Sequence, residues 1–145
     1  MDGRDRRRSA WVAALVGVGV MAAVDEIVFH QVLGWHHFYD RSTPEVGLVT
    51  DGLLHAAELI MLVAGIFLVA DLSRRRALHR GAAVAGFLLG ASGFQLVDGV
   101  VVHKVLRLHQ VRYDVELLPY DAAWLASAVL LALAGVLLLL RARRT

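Results

Sequence analysis

DEIVFHQVLGWHH, residues 25–37, is apolar enough to lie in a bilayer, yet it carries two carboxylates and three histidines. Ionisable groups in hydrocarbon are costly, and they usually face a cavity, a partner or an ion. We therefore interpret this stretch as part of a transmembrane helix whose polar side chains build a site inside the protein.

A reduced copy of the stretch, DGVVVHKVLRLHQ, follows at residues 98–110. The shared frame pairs Asp25 with Asp98, His30 with His103, Leu33 with Leu106 and His36 with His109. The helices that follow each frame repeat more weakly, because Leu125 and Ala128 replace His55 and Glu58. The pattern predicts two duplicated helical hairpins, over about residues 11–72 and 81–141.

The composition indicates a membrane protein. Of the 145 residues 58% are hydrophobic, and the mean hydropathy of +0.61 is too high for an ordinary soluble domain. Four segments, 11–35, 51–70, 81–106 and 121–140, are long enough or nearly so to cross a hydrocarbon core of about 30 Å. We predict one all-α domain, residues 1–145, folded as a four-transmembrane-helix bundle.

Arginine clusters lie on alternate connections, at positions 4, 6, 7 and 8, at 74–76 and 80, and at 141, 143 and 144. The positive-inside rule then places both termini and the central loop in the cytoplasm and the polar frames in the outer half of the bilayer. This distribution predicts a multi-pass membrane protein. The expected partner is the lipid bilayer, with room for a homo-oligomer or a membrane partner protein. The net charge of +2 comes largely from these flanks, so we expect no nucleic-acid partner.

The polar residues within the apolar helices predict a metal site. The candidate ligands are His30, His55, His103, Asp25, Asp98, Asp51, Glu58, His36, His37 and His109. Imidazole and carboxylate suit copper, zinc and iron, whereas the absence of cysteine removes thiolate sites and iron–sulfur clusters. Asp51, His55 and Glu58 share one helical face.

The spacing within each frame raises a difficulty. Asp25 and His30 are five residues apart, as are Asp98 and His103, so neither pair shares a face of a straight α-helix. Either one member of each pair is a packing anchor, or the helix is locally distorted, for instance at Gly99.

Other interpretations remain open. Asp51 is also placed to cap the second helix, and we expect Asp121 to cap the fourth. His36, His37 and His109 could be interfacial loop residues, and the Asp–His pairs could form a network without a ligand. Alternative functions are a b-type haem protein and a proton or ion relay or transport component, although the inner halves of the helices are almost purely apolar.

Glycines indicate where the helices approach each other. Gly17 and Gly19 in the first helix, and the Gly86-x-x-x-Gly90 spacing in the third, predict close helix contacts. Gln95 is expected to donate a hydrogen bond between helices.

These residues resemble a bacterial integral-membrane family known as domain of unknown function 2243, over nearly the whole chain. The resemblance is carried by DEIVFHQVLGWHH, by DGLLHAAE at the start of the second helix, and by FQLVDGVVVHKVLRLHQVR in the third. It implies a location in the bacterial inner (cytoplasmic) membrane and a shared polar set of Asp25, His30, Gln31, Trp35, His36, His37, Asp51, His55, Asp98, His103 and His109. The chain departs from the family where histidines are doubled, at Lys104 and Gln110, and at Asp98, where Glu is common. The resemblance brings no activity, so metal handling and a metal-dependent oxidoreductase both remain open.

Overall fold

The computed structural model describes residues 3–142, which form four long helices without any strand in that range. In order they are α1 (Gly3–Val24) continuing as π1 (Asp25–Val32), α2 (Pro44–Arg74), α3 (Arg80–Leu96) continuing as π2 (Val97–Leu106), and α4 (Leu117–Ala142). All four are long and apolar enough to cross a membrane. The predicted all-α fold with four candidate transmembrane helices is confirmed.

Several helix boundaries differ from the predicted ones. The first helix begins at Gly3 rather than at residue 11, because arginine is a good helix former and the polar tip continues the helix. The second begins at Pro44 rather than at residue 51, since the fixed φ of proline suits a first helical position.

The N-cap expected for Asp121 is wrong, and so is the alternative that Asp51 caps the second helix, because both helices begin earlier. Asp51 lies inside α2, two turns after the first residue of the helix, and it is buried in the interior of the protein. Asp121 lies inside α4, which begins at Leu117, and pairs with Lys104.

Helices α1 and α3 pack backbone against backbone at the predicted glycines. A Cβ atom at Gly86 would lie 2.0 Å from the carbonyl oxygen of Ala10, and one at Gly90 would lie 2.1 Å from that of Ala14. A Cβ atom at Gly17 would lie 2.1 Å from the carbonyl oxygen of Phe87. This confirms the predicted close approach. It also fixes α1 against α3, from which π1 and π2 continue.

At one end of the bundle, polar contacts join the start of α1, the loop between α2 and α3, and the end of α4. The backbone amide of His79 donates to Ser9 Oγ at 3.0 Å, and Arg6 donates to the carbonyl oxygen of Ala142 at 3.4 Å. The described arginine clusters therefore gather at this end, whereas Arg143 and Arg144 lie outside the described residues.

The opposite end is formed by the loops that follow π1 and π2. The backbone amide of Asp40 in the first loop donates to the carbonyl oxygen of Leu108 in the second, at 3.1 Å. The histidine-rich frames lead into these loops, so the two frames and the arginine clusters lie at opposite ends. Which end faces the cytoplasm, and whether the hairpins arose by duplication, stay predictions.

Candidate metal centre

Both frames fold as π-helices, which resolves the five-residue spacing. The backbone bonds of a π-helix join residues i and i+5, and such segments are rare and frequent at functional sites. In π1, Asp25 Oδ2 lies 3.5 Å from His30 Nε2, and in π2, Asp98 Oδ2 lies 3.0 Å from His103 Nε2. Of the two alternatives, the structure thus shows the local distortion, and it shows it in both frames.

The first cluster, which we name the carboxylate group, consists of Glu26, His30 and Asp51. His30 Nδ1 lies 2.9 Å from Glu26 Oε2 and 3.1 Å from Asp51 Oδ1, and all three residues are buried. The carboxylate of Asp51 also accepts a hydrogen bond from the backbone amide of Phe38 at 2.7 Å. Asp51 thus ties α2 both to π1 and to the loop that follows it.

The second cluster, the histidine group, consists of His36, His103, His109 and Asp98. His103 Nε2 lies 2.9 Å from His109 Nε2, and Asp98 Oδ1 lies 3.5 Å from the same atom of His109. The rings of His36 and His109 are stacked, with centroids 4.4 Å apart and planes 9° from parallel. The carboxylate group adjoins this cluster, because the ring centroid of His30 is 4.5 Å from that of His36.

Each stacked ring is oriented by the loop of the other hairpin. His36 Nδ1 lies 2.8 Å from the carbonyl oxygen of Val111, and His109 Nδ1 lies 2.9 Å from that of Phe38. A carbonyl oxygen can only accept, so both Nδ1 atoms carry the proton and both Nε2 atoms present a lone pair. Partners of this kind fix the tautomer of metal-binding histidines.

The surroundings of His36 also keep its ring neutral. Burial, followed by the nearby imidazoles of His109 and His30, lowers the pKa of His36 from its ordinary 6.5 to about 2. A neutral imidazole is the form that binds metal ions.

Several buried lone-pair atoms in and beside the two groups make no hydrogen bond within residues 3–142. They are Glu26 Oε2, His30 Nε2, His36 Nε2, Glu58 Oε2 and Asp98 Oδ2; His103 Nδ1 and Gln95 Oε1 share this property. Buried polar atoms normally have a partner, and leaving one without costs about 1–3 kcal/mol. Glu26 Oε2 and Asp98 Oδ2 each lie close to an imidazole nitrogen but are not aligned for a hydrogen bond. This is the arrangement expected where ligands converge on a cation.

Five carboxylates are buried around the site, each at most 4% exposed: Asp25, Glu26, Asp51, Glu58 and Asp98. Each lies within ion-pair distance of a histidine. Buried carboxylates require compensating positive charge. Protonated histidines or bound cations can supply it.

The structure brings seven of the ten predicted ligands into or against the two groups and leaves three at the margin. The seven are His30, His36, His103, His109, Asp25, Asp51 and Asp98. His37 binds Asp51 from a position where 31% of its side chain is exposed, and His55, 48% exposed, binds Glu58. Glu26 is missing from the predicted ligands, although its place four residues before His30 was a signal that could have found it.

Gln95 behaves as predicted, since its amide donates to Ser127 Oγ of α4 at 2.9 Å. In the second hairpin α4 contributes no ligand to either group, because Asp121, the counterpart of Asp51, pairs with Lys104. The site is therefore built by the first three helices and the two loops.

A family described as "Predicted membrane protein (DUF2243)" matches residues 12–142. The chain belongs to this family. The resemblance carried by the three quoted stretches is thus confirmed, and all residues of both groups lie within the DUF2243 match. The family description gives membrane location and no activity. No curated protein and no solved structure matches the chain.

Proposed function

We propose that this DUF2243 protein is an integral membrane metal-binding protein, with copper, zinc or iron held among the histidines and carboxylates at the end opposite the arginine clusters. One observation carries the proposal. Buried lone-pair atoms from the two π-helices and the first loop make no hydrogen bond, and they belong to residues whose possible ligand atoms lie within 4.8 Å of one another, so bound cations would satisfy them.

The donor spacing suits an ion of this size. In the histidine group, the donor atoms of His103, His109 and Asp98 lie 2.9–3.5 Å apart. A tetrahedral ion with metal–nitrogen bonds of about 2.0–2.1 Å places its ligand atoms about 3.3 Å from one another. Imidazole nitrogen with carboxylate oxygen is a donor set that suits copper, zinc and iron alike.

The contacts between the rings favour a non-haem ion over a porphyrin. His36 and His109 have ring centroids 4.4 Å apart, and those of His103 and His109 are 4.6 Å apart. A porphyrin with two axial histidines needs one on each of its faces, which would require these rings to separate.

The position of the site supports a role at the outer membrane face. Under the positive-inside rule the arginine end is cytoplasmic, which puts the two loops and the metal centre near the outer boundary. A cavity of about 390 Å³ borders His103 and His109 and is lined further by Lys104, Arg107 and Tyr113. Capture of an ion from outside, or redox chemistry on a small molecule in this cavity, would both use this arrangement.

The test is the metal content of the detergent-purified protein, compared with two histidine variants. We expect stoichiometric metal in the wild type, a several-fold loss in His30→Ala, and no change in His79→Ala. His79 is a matched control because its ring accepts a hydrogen bond from the backbone amide of Ala82 at the arginine end.

Equal metal content in all three proteins would contradict the proposed site. If none of them holds metal after addition of copper, zinc, iron or manganese, a protonated Asp–His network acting as a relay replaces it.

A further inference from the structure

The number of nitrogen atoms available for metal limits how the histidine group can bind. Two sets of residues can each hold an ion, because the ligand atoms within a set lie no more than 4.8 Å apart. The first set is His30, His36 and His109, and the second is Asp98, His103 and His109. Both sets require His109, whose Nδ1 is bound to the carbonyl oxygen of Phe38. Only its Nε2 is left, and one lone pair binds one ion. The two sets therefore share a single ion.

His30 differs from His36 and His109. Within residues 3–142, neither of its ring nitrogens is bound to a backbone atom. Its Nδ1 faces Glu26 and Asp51, within 3.1 Å of an oxygen of each. Its Nε2 is buried, lies 3.5 Å from Asp25 Oδ2 and makes no hydrogen bond, and its ring contacts that of His36. The ring thus offers one nitrogen to each group.

We propose, on the basis of the function proposed above, that the centre is dinuclear, with His30 between two ions. One ion is held by the carboxylate group through His30 Nδ1, and the other by the histidine group through His30 Nε2. When both nitrogens bind metal, the ring carries no N–H and its proton leaves to solvent. The ions then lie about 6 Å apart, the width of the ring plus two bonds of about 2.0–2.1 Å.

The two positions differ in chemical class. The carboxylate group offers two carboxylates and one imidazole nitrogen, a harder set that suits manganese or iron. The histidine group offers imidazole nitrogens with one carboxylate, which suits copper or zinc. The two positions therefore prefer different ions, but Cu(II) should fill both, because it binds a given site of nitrogen and oxygen ligands more tightly than the other divalent first-row ions do.

The buried charge also favours two ions over one. Five buried carboxylates surround the centre, all on residues that are at most 4% exposed. A single divalent ion leaves most of that negative charge uncompensated when the histidines are neutral, whereas two divalent ions offset most of it.

Copper binding by matched isosteric variants tests the count. Metal-stripped protein in detergent is saturated with Cu(II), freed of unbound copper, and analysed for copper per chain. Wild type should hold two, and Glu26→Gln and Asp98→Asn should hold one each, a twofold loss. Asp71→Asn should hold two, because Asp71 pairs with Arg74 and Arg75 at the other end.

Spin counting on the same samples is an independent readout. Two Cu(II) ions bridged by His30 couple magnetically, so the wild type should show fewer spins than copper atoms, and both single-ion variants should show one spin per copper. If Asp98→Asn does not elute as a folded protein, His103→Gln takes its place.

The outcomes separate this inference from the proposed function. One copper in the wild type, lost in both variants, overturns the dinuclear centre and leaves the metal site standing. Two coppers retained by either variant, or full spin count in the wild type, also overturns it. No copper in the wild type overturns both.

Discussion

Replacing Asp51 by asparagine should destabilise the metal-free protein strongly. The carboxylate accepts hydrogen bonds from Phe38 N at 2.7 Å and His37 Nδ1 at 2.6 Å, and it lies 3.1 Å from His30 Nδ1. Asparagine keeps one acceptor oxygen, so it can hold the Phe38 amide but presents an NH₂ group to a histidine. A hydrogen bond to a charged group contributes about 1.5–3 kcal/mol, and we expect a loss of about 3 kcal/mol in total.

The assay is thermal unfolding in detergent, followed by tryptophan fluorescence. For a chain of this size 1 kcal/mol shifts the midpoint by about 2–4 °C, so Asp51→Asn should lower it by about 6–12 °C. Asp121→Asn is the matched control, since Asp121 stands at the corresponding position of the second hairpin and pairs with the exposed Lys104. An exposed pair contributes about 0–1 kcal/mol, which predicts a shift of at most about 4 °C. Equal shifts in the two variants would refute the role given to Asp51.

Two further changes test the packing and the electrostatics. Gly86→Val should destabilise by at least about 1–3 kcal/mol because its Cβ would meet the carbonyl oxygen of Ala10. Gly52→Ala, with nothing within 4 Å, should be neutral or stabilising by up to about 1 kcal/mol; the reverse order in thermal unfolding would contradict the α1–α3 contact. In the metal-free protein, the folded-state pKa of His36, about 2, lies below its ordinary 6.5, so the unfolded chain binds a proton that the folded chain does not. Stability should therefore fall as the pH drops below about 6.5, by up to about 1.4 kcal/mol per unit. His36→Gln should flatten that decline between pH 6.5 and 5. Parallel stability profiles of the wild type and the variant over this range would contradict the role of His36 in the decline.

The fold was predictable because hydropathy and glycine spacing are local properties of the sequence. The boundaries were less so, since helices extend beyond the apolar segments wherever the flanking residues tolerate helical geometry. Arg6 favours helix as a residue type, and Pro44 suits the first position of a helix. The early start of α2 is what turned Asp51 from a predicted cap into an interior side chain.

The candidate site was predictable in its residue types and only partly in its geometry. The frames identified His30 and His103, yet an α-helical reading separated each from the aspartate five residues before it. The π-helical backbone brings each aspartate to its histidine. The bonds that orient His36 and His109 span 75 and 71 residues, a distance that no sequence pattern encodes.

X-ray absorption at the edge of the metal that copurifies with the protein tests the central claim most directly. A bound ion should show a first shell of nitrogen and oxygen at about 2.0–2.1 Å together with the outer-shell scattering of two or more imidazole rings. An oxygen-only shell without imidazole scattering, or protein that carries no stoichiometric transition metal, would contradict a centre built from these histidines.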